Sequence, residues 1–325
     1  MIDILTKKRG TFTACILGGA LLIILPIFLP KYVIVLITSV IIFSLYVASL
    51  NLLMGYAGLV SLGHATFWGV AGYIIGILST RGILNNFYLL ILVTLLMVAV
   101  VGALLGILVT RTSKAYFIML TFTLGHVIYC IGAFTLRPIT KGIDGLTGIT
   151  RPDLGLPWPM TDDLNFYYLV LVVSVICFFI SYLIIRSPFG HALVGIRDND
   201  HRMLALGYNT WLYKYLCYII SGIFSGVAGI LYVYFDGFVS PSELHWLWSA
   251  EGLMMVLIGG SGTFIGPVVG AAVFTMLRYF VSAYTVHWSM VMGVIFVLVV
   301  LFLRGGIVGF FIHLRKGFSH GGIEG

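Results

Sequence analysis

Charge is scarce in this chain. Asp, Glu, Lys and Arg together make up 9% of its 325 residues, against about 25% in an ordinary soluble domain. That shortage excludes a soluble globule. No GxxxxGK[ST] run occurs, so no phosphate cradle of that type is present. The glycine-rich GGSGTFIG, Gly259 to Gly266, lacks a lysine and sits in an apolar stretch, so it reads as backbone geometry. Cysteine is sparse as well. Cys15, Cys130, Cys177 and Cys217 stand at irregular spacing in apolar stretches, with neither a CxxC pair nor a metal-ligand pattern. They read as helix-packing residues, and no metal or cofactor is expected. The eight histidines are scattered, which argues against the convergent set of a membrane enzyme.

What is abundant is apolar. Hydrophobic residues reach 60% and the mean hydropathy is +1.11. Runs of 18 or more apolar residues recur, and about 20 suffice to cross a bilayer as a helix. The short alternating segments of an outer-membrane barrel do not appear. The expected fold is an all-α polytopic membrane protein, one transmembrane domain over 1–325 with about 8–10 helices, some broken or re-entrant. The net charge of +7 does not point to nucleic acid, because Lys and Arg sit in short flanks between apolar spans.

Ten spans are expected, at 11–29, 32–53, 56–78, 87–110, 115–134, 166–185, 211–235, 250–262, 264–284 and 286–303. The first lacks a clear small-x-small cleavage site and reads as an uncleaved span. Both termini are then cytoplasmic. Twelve Lys and Arg fall inside and six outside, as the positive-inside rule asks. The longest extracytoplasmic loop is 135–165, either a solvated connector or a docking surface for a soluble partner. The main cytoplasmic loop is 186–209.

Three segments carry most information. In Asn51 to Gly76, Gly69, Gly72 and Gly76 form a small-residue face along which two helix backbones would touch. Gly55 and Gly58 bracket a break, and Asn51, Ser61, His64 and Thr66 cluster beside it. Intramembrane polar groups point to a pathway, and for His64 a helix-to-helix hydrogen bond is an equal reading. In Ala250 to Phe274, Gly259, Gly260 and Gly262 interrupt the apolar run, and Glu251 needs a partner or an interface. Paired glycine-interrupted segments in opposite halves of a chain often mark an internal repeat around a transport site, though residue-level similarity is slight. In the 186–209 loop, Ser187 caps a helix with Pro188 in its first turn. Phe189, Leu193 and Ile196 share its apolar face, and Asp198-Asn199-Asp200 forms a bend. Of lipid, its own bundle or a partner groove, the face is expected to meet a partner.

Taken in order, NLLMGYAGLVSLGHATFWGVAGY, AYFIMLTFTLGHVIY, TKGIDGLTGI, SPFGHALVGIRDND and PSELHWLWSAEGLMMVLIGGSGTFIGPVVGA resemble the branched-chain amino acid ABC-transporter permeases of the LivM type. The resemblance covers most of the chain. It implies a permease domain in the bacterial inner membrane, surrounded by lipid and paired with a LivH-like second permease. Two ATPase subunits and an extracytoplasmic binding protein complete the complex, with no nucleic-acid partner. Ser187 to Gly207 becomes the loop bearing the coupling helix, with Ser187, Phe189, Leu193, Ile196, Arg197, Asp198, Asp200 and Gly207 as coupling residues. Asn51, Ser61, His64, Phe67, Tyr116, Thr121, Gly259, Gly260 and Gly262 become the substrate path. Met203 stands where the family usually has a small residue, and FLRGGIVG lacks the usual proline. Urea, short-amide and other amino- or aromatic-acid importers share much of the pattern. An ion-coupled carrier would bury carboxylates, whereas Asp236, Glu243 and Glu251 fall near the expected span ends.

Overall fold

The computed structural model describes residues 22, 23, 25, 26, 28–82, 86–112, 114–151, 159–302 and 305–310. Most of the expected span 11–29 lies outside them, as does Cys15. Nearly all of the rest is helix: α1 Lys31–Asn51, α2 Ala65–Thr80, α3 Phe87–Val109, α4 Lys114–Cys130 and α5 Asp163–Arg186. Then come α6 Pro188–Asp198, α7 Asp200–Ala205, α8 Thr210–Asp236, α9 Trp246–Gly259, α10 Gly266–Tyr284 and α11 Trp288–Phe302. Five-residue π turns extend α1 to Tyr56 and α4 to Thr135. Among the described residues, six helices are long and apolar enough to cross a bilayer, and three more are apolar but shorter. This is an all-α polytopic membrane protein.

α1 and α8 form the centre. α8 packs on α1, α2 and α3, while α1 also carries α5 and α10, and α9 and α10 form a hairpin. Along α8, Gly222 faces the Phe67 ring, Gly226 faces Val98 and Gly229 meets the backbone of Trp68. Small residues let these helices approach without any hydrophobic drive from lipid. The outer faces of α3, α4 and α5 display large apolar side chains such as Leu92, Met119 and Phe179, which suits a lipid or subunit contact.

Two expected spans need correction, for one reason. In the span expected at 56–78, Tyr56 belongs to the end of α1, 57–64 is irregular and the next helix starts only at Ala65. The span expected at 250–262 begins earlier, at Trp246, and ends at Gly259. α2 and α9, with 16 and 14 residues, measure about 24 and 21 Å, short of an apolar core about 30 Å thick. Neither is long enough to cross by itself, so a crossing at either place needs irregular chain as well. Such chain survives at depth only if protein shields it or it lines water.

The glycine face of α2 is also corrected. Gly69, Gly72 and Gly76 do not meet a second helix backbone there. They seat Leu244, then Val233 and Val239, then Ile149, so the face receives a side chain of α8, the 3-10 turn Pro241–Leu244 and a two-residue β pair. In that pair Leu146 opposes Val239 and Thr147 opposes Phe238.

Two acidic residues that the sequence places near span ends lie inside. Glu251 falls within α9 and pairs with Arg278 of α10 at 3.1 Å, while Arg278 also covers the Trp288 ring at 4.7 Å. Glu243 is buried in the Pro241–Leu244 turn, where Oε1 accepts from the Ser240 amide at 3.3 Å.

Candidate functional site: the junction of two broken helices

The two glycine breaks, some 200 residues apart in sequence, touch. Asn51 ends α1 and is buried, and its amide bridges to the other break. Nδ2 donates to the Thr263 carbonyl at 2.9 Å, and Oδ1 accepts from the Gly262 amide at 2.9 Å. Thr263 closes its own loop by donating to the Gly260 carbonyl at 2.8 Å and accepting from the Gly266 amide at 3.1 Å. The backbones meet so closely that a Cβ on Gly55 would stand 2.5 Å from the Gly262 nitrogen.

Arg197, at the end of α6, enters this junction. Its Nη1 donates to the Gly55 carbonyl at 2.6 Å. Its Cγ would lie 2.6 Å from a Cβ on Gly58, and Nη1 would lie 3.3 Å from one on Gly262. Both glycines have positive φ, +71° and +76°, a conformation that a Cβ strains. One arginine side chain therefore occupies space that side chains on either break would fill. Lys114, opening α4, donates to the Arg197 carbonyl at 2.9 Å and so satisfies an orphan group at the end of α6.

α6 is held as its sequence dictates. Ser187 caps it, accepting from the Gly190 amide at 3.3 Å, and Pro188 opens it. The apolar face, however, turns inward. Leu193 and Ile196 are buried in the chain's own core, and Phe189 stacks on Tyr213 with ring centroids 5.5 Å apart. The expectation that this face meets a partner is therefore corrected. Burial of two aliphatic side chains and an aromatic stack fixes the helix to its own bundle. The outward face is polar, with His191 and Asp198 exposed.

α7 continues as an elbow. Asn199 caps it by accepting from the Arg202 amide at 3.0 Å, and Gly207 ends it with φ +88°. Met203 lies against Gly195 of α6, so the larger side chain fills the elbow. Asp200 pairs with Lys214 of α8. Burial alone would raise the Asp200 carboxyl, but the Lys214 ammonium holds it below the usual carboxylate range, so Asp200 stays ionised at neutral pH. Leu204 and Leu206 stand 50% and 67% exposed at the tip, next to exposed Tyr208 and Leu212.

The expected path residues divide. Ser61, His64, Phe67 and Thr121 are each at most 2% exposed. His64 Nε2 lies 2.8 Å from Ser49 Oγ, and that hydroxyl already donates to the Tyr46 carbonyl at 2.6 Å. His64 therefore donates through Nε2 and leaves Nδ1 bare. Thr121 Oγ1 accepts from the Leu62 amide at 3.3 Å, and Ser249 Oγ accepts from the Ala65 amide at 2.8 Å. These groups tie the irregular 57–64 segment to α1, α4 and α9, and nothing reaches them unless the bundle opens. The cavity beside Asn51 is about 10 Å³, room for about one water. Tyr116 is not brought to this cluster and is 66% exposed on the far side of α4. Gly259, Gly260 and Gly262 form the wall of the second break. The sequence reading passed over His126, Tyr129, His245 and Trp246, which meet at the surface.

The family described as branched-chain amino acid transport system / permease component matches residues 32–312. The chain belongs to this permease family. It is 26% identical over 334 residues to the high-affinity branched-chain amino acid transport system permease protein LivM of Escherichia coli, covering 94% of this chain and 76% of that protein. It is 22% identical to the probable branched-chain amino acid transport permease protein LivM of Methanocaldococcus jannaschii, over 76% of this chain and 81% of that one. The galactose/methyl galactoside import permease protein MglC of Escherichia coli is 25% identical over 59% of this chain and 58% of its own length. No solved structure matches the chain. This permease is thus a LivM-type multi-pass subunit of an ABC transport system, and its family is one of transporter subunits rather than of enzymes.

Proposed function

We propose that this permease is one of two membrane subunits of an inner-membrane, ATP-powered importer of branched-chain amino acids. A LivH-like permease, two ATPase subunits and an extracytoplasmic binding protein complete it. Loop 186–209 and both termini are cytoplasmic, and loop 135–165 faces the binding protein. LivM-type relatives covering most of the chain favour amino acids over sugars, whose permeases match a shorter part.

The observation that carries the mechanism is the position of Arg197. α6 contacts the breaks after α1 and α9 through one side chain, so a rigid displacement of α6 acts on both at once. The ATPases close on the polar face of α6 and the apolar tip of α7. Their movement passes through Arg197 to Gly55 and Gly262, and the Asn51 bridge keeps the two breaks in step. Ser187 and Asp200 hold the lever to α5 and α8. The wall groups packed inside the bundle fix its shape, and the binding protein makes the first selection of substrate.

Leucine uptake into proteoliposomes bearing the full complex tests this reading. The expected result is uptake that needs ATP and both ATPases. Uptake by this chain without ATPase would instead support an ion-coupled carrier. That alternative has lost one site, since Arg278 already neutralises Glu251.

The tip of α7 supplies a second prediction. Leu206→Asp places a charge in the surface that the ATPase covers, and truncating or charging an interface anchor costs about 2 kcal/mol or more. ATPase co-purification with the permease should fall at least about tenfold, while the permease pair stays intact. Undiminished co-purification would remove α7 from the interface.

A further inference from the structure

The turn before α9 is sunk well below the end of α2. Leu244 touches Gly69 of α2, and α2 runs on from there to Thr80. At about 1.5 Å per residue, that places Leu244 about 16 Å inside the end of the helix. At this depth the chain leaves the Pro241–Leu244 turn and starts α9 with His245 and Trp246. Opposite stand Phe122, His126 and Tyr129, spaced one helical turn apart on α4.

These five rings form one cluster. His126 stacks between Phe122 and Tyr129, with centroids 6.2 and 5.4 Å away. His245 meets Tyr129 at 5.1 Å and His126 at 6.1 Å, and Trp246 meets Phe122 at 5.8 Å. The cluster is partly open. Phe122 is exposed, and His126, Tyr129, His245 and Trp246 are half-buried. Its hydrogen-bonding capacity is largely unused. His245 Nδ1 accepts from the Leu247 amide at 3.4 Å, which leaves its Nε2–H to donate elsewhere, and His126 Nδ1 is buried within the cluster without a partner, which leaves Nε2 as its outward atom.

Two imidazoles at membrane depth are costly against lipid. Non-helical backbone at that depth requires protein cover or a water-filled cavity. The rings offer an apolar wall, the imidazoles offer N–H donors, and the first turn of α9 adds the positive end of a helix dipole. Aliphatic side chain and carboxylate are the two ends of one ligand class. We propose that Phe122, His126, Tyr129, His245 and Trp246 form an outer receiving site for a hydrophobic amino acid. The imidazoles take its carboxylate, and Phe122 and Trp246 take its side chain. The site rests on the importer reading. It is distinct from the buried Ser61–His64–Thr121 groups.

The test uses the assembled transporter in proteoliposomes, with leucine as the probe. His126→Gln and His245→Gln should each raise the KM for leucine about tenfold, the size expected for one hydrogen bond to a charged group. Trp246→Ala should lower preference for leucine over alanine about fivefold or more, as one large apolar contact would. Independently, Thr123→Cys, exposed beside His126, should react with a membrane-impermeant thiol reagent from the binding-protein side. Leucine should slow that labelling at least about fivefold, read by mass spectrometry of the labelled peptide so that native cysteines do not interfere.

Unchanged KM in both histidine variants, or labelling indifferent to leucine, overturns the site. Loss of the second permease on purification of these variants also overturns it, since the cluster is then a subunit contact. The labelling needs no turnover, so it decides the site even if the wild-type complex fails to import leucine. That failure would sink the importer reading alone.

Discussion

Arg197→Ala should cut ATP-driven uptake about tenfold to a hundredfold while ATP hydrolysis continues. The variant removes the donor to the Gly55 carbonyl and empties the space between Gly58 and Gly262. α6 stays folded, because its Ser187 cap, the Leu193 and Ile196 burial and the Phe189–Tyr213 stack do not involve Arg197. The lever thus survives and its contact is lost. A hydrogen bond to a charged group contributes about 1.5–3 kcal/mol, enough for a loss of about tenfold to a hundredfold in leucine moved per ATP hydrolysed. Arg197→Lys should recover little, since an ammonium cannot reproduce a planar fork placed between two backbones. Equal losses of uptake and hydrolysis would mean that the complex has come apart, and Arg197 would then be only structural.

The second large effect is expected at Gly55. Its hypothetical Cβ meets the Asn51 side chain and stands 2.5 Å from the Gly262 nitrogen. One neighbour is backbone held by Asn51 Oδ1, so Gly55→Ala forces the two breaks apart or breaks the bridge. Overpacking of this kind costs about 1–3 kcal/mol, and a severed Asn51 bridge leaves buried polar groups unpaired at about 1–3 kcal/mol each. The variant should lower the thermal stability of the detergent-solubilised permease and stop transport. Gly293→Ala, where an added Cβ meets nothing within 4 Å, is the matched control and should do neither. Normal stability and transport in Gly55→Ala would show that the breaks do not depend on contact.

Much of this was readable from residue pattern. Ser187-Pro188 marks the start of α6 because a hydroxyl cap followed by a ring without an N–H suits a helix N-terminus. Gly58, Gly260 and Gly262 mark the breaks because their positive φ strains any other residue, and Gly55 and Gly259 because neighbouring backbone leaves no room for a Cβ. What pattern could not show is pairing at long range. Nothing local to Asn51 indicates that its amide belongs to Gly262 and Thr263, or that Arg197 lies between the breaks. Periodicity also failed at the ends of broken helices. The segment ELHWLWSAE mixes polar and apolar residues, so hydropathy starts α9 only at Ala250 and puts Glu251 at an end. Tyr116 was grouped with Thr121, yet five residues turn a helix by about 140° relative to its starting face. Phe117, Thr121 and Gly125 point to the core, and Tyr116 points away. The Phe189 face was misassigned because an amphipathic helix looks alike whether its apolar side meets its own bundle or a partner.

The account rests on α6 and both breaks moving as one body. Spin labels at His191 on α6, Ile265 in the second break and Tyr88 at the far end of α3, all exposed positions, allow three distances to be followed by pulsed resonance as the ATPases bind nucleotide. The predicted result is that His191–Tyr88 and Ile265–Tyr88 change together while His191–Ile265 stays constant, and that the constancy is lost in Arg197→Ala. A wild-type complex in which His191–Tyr88 changes while Ile265–Tyr88 does not would contradict it.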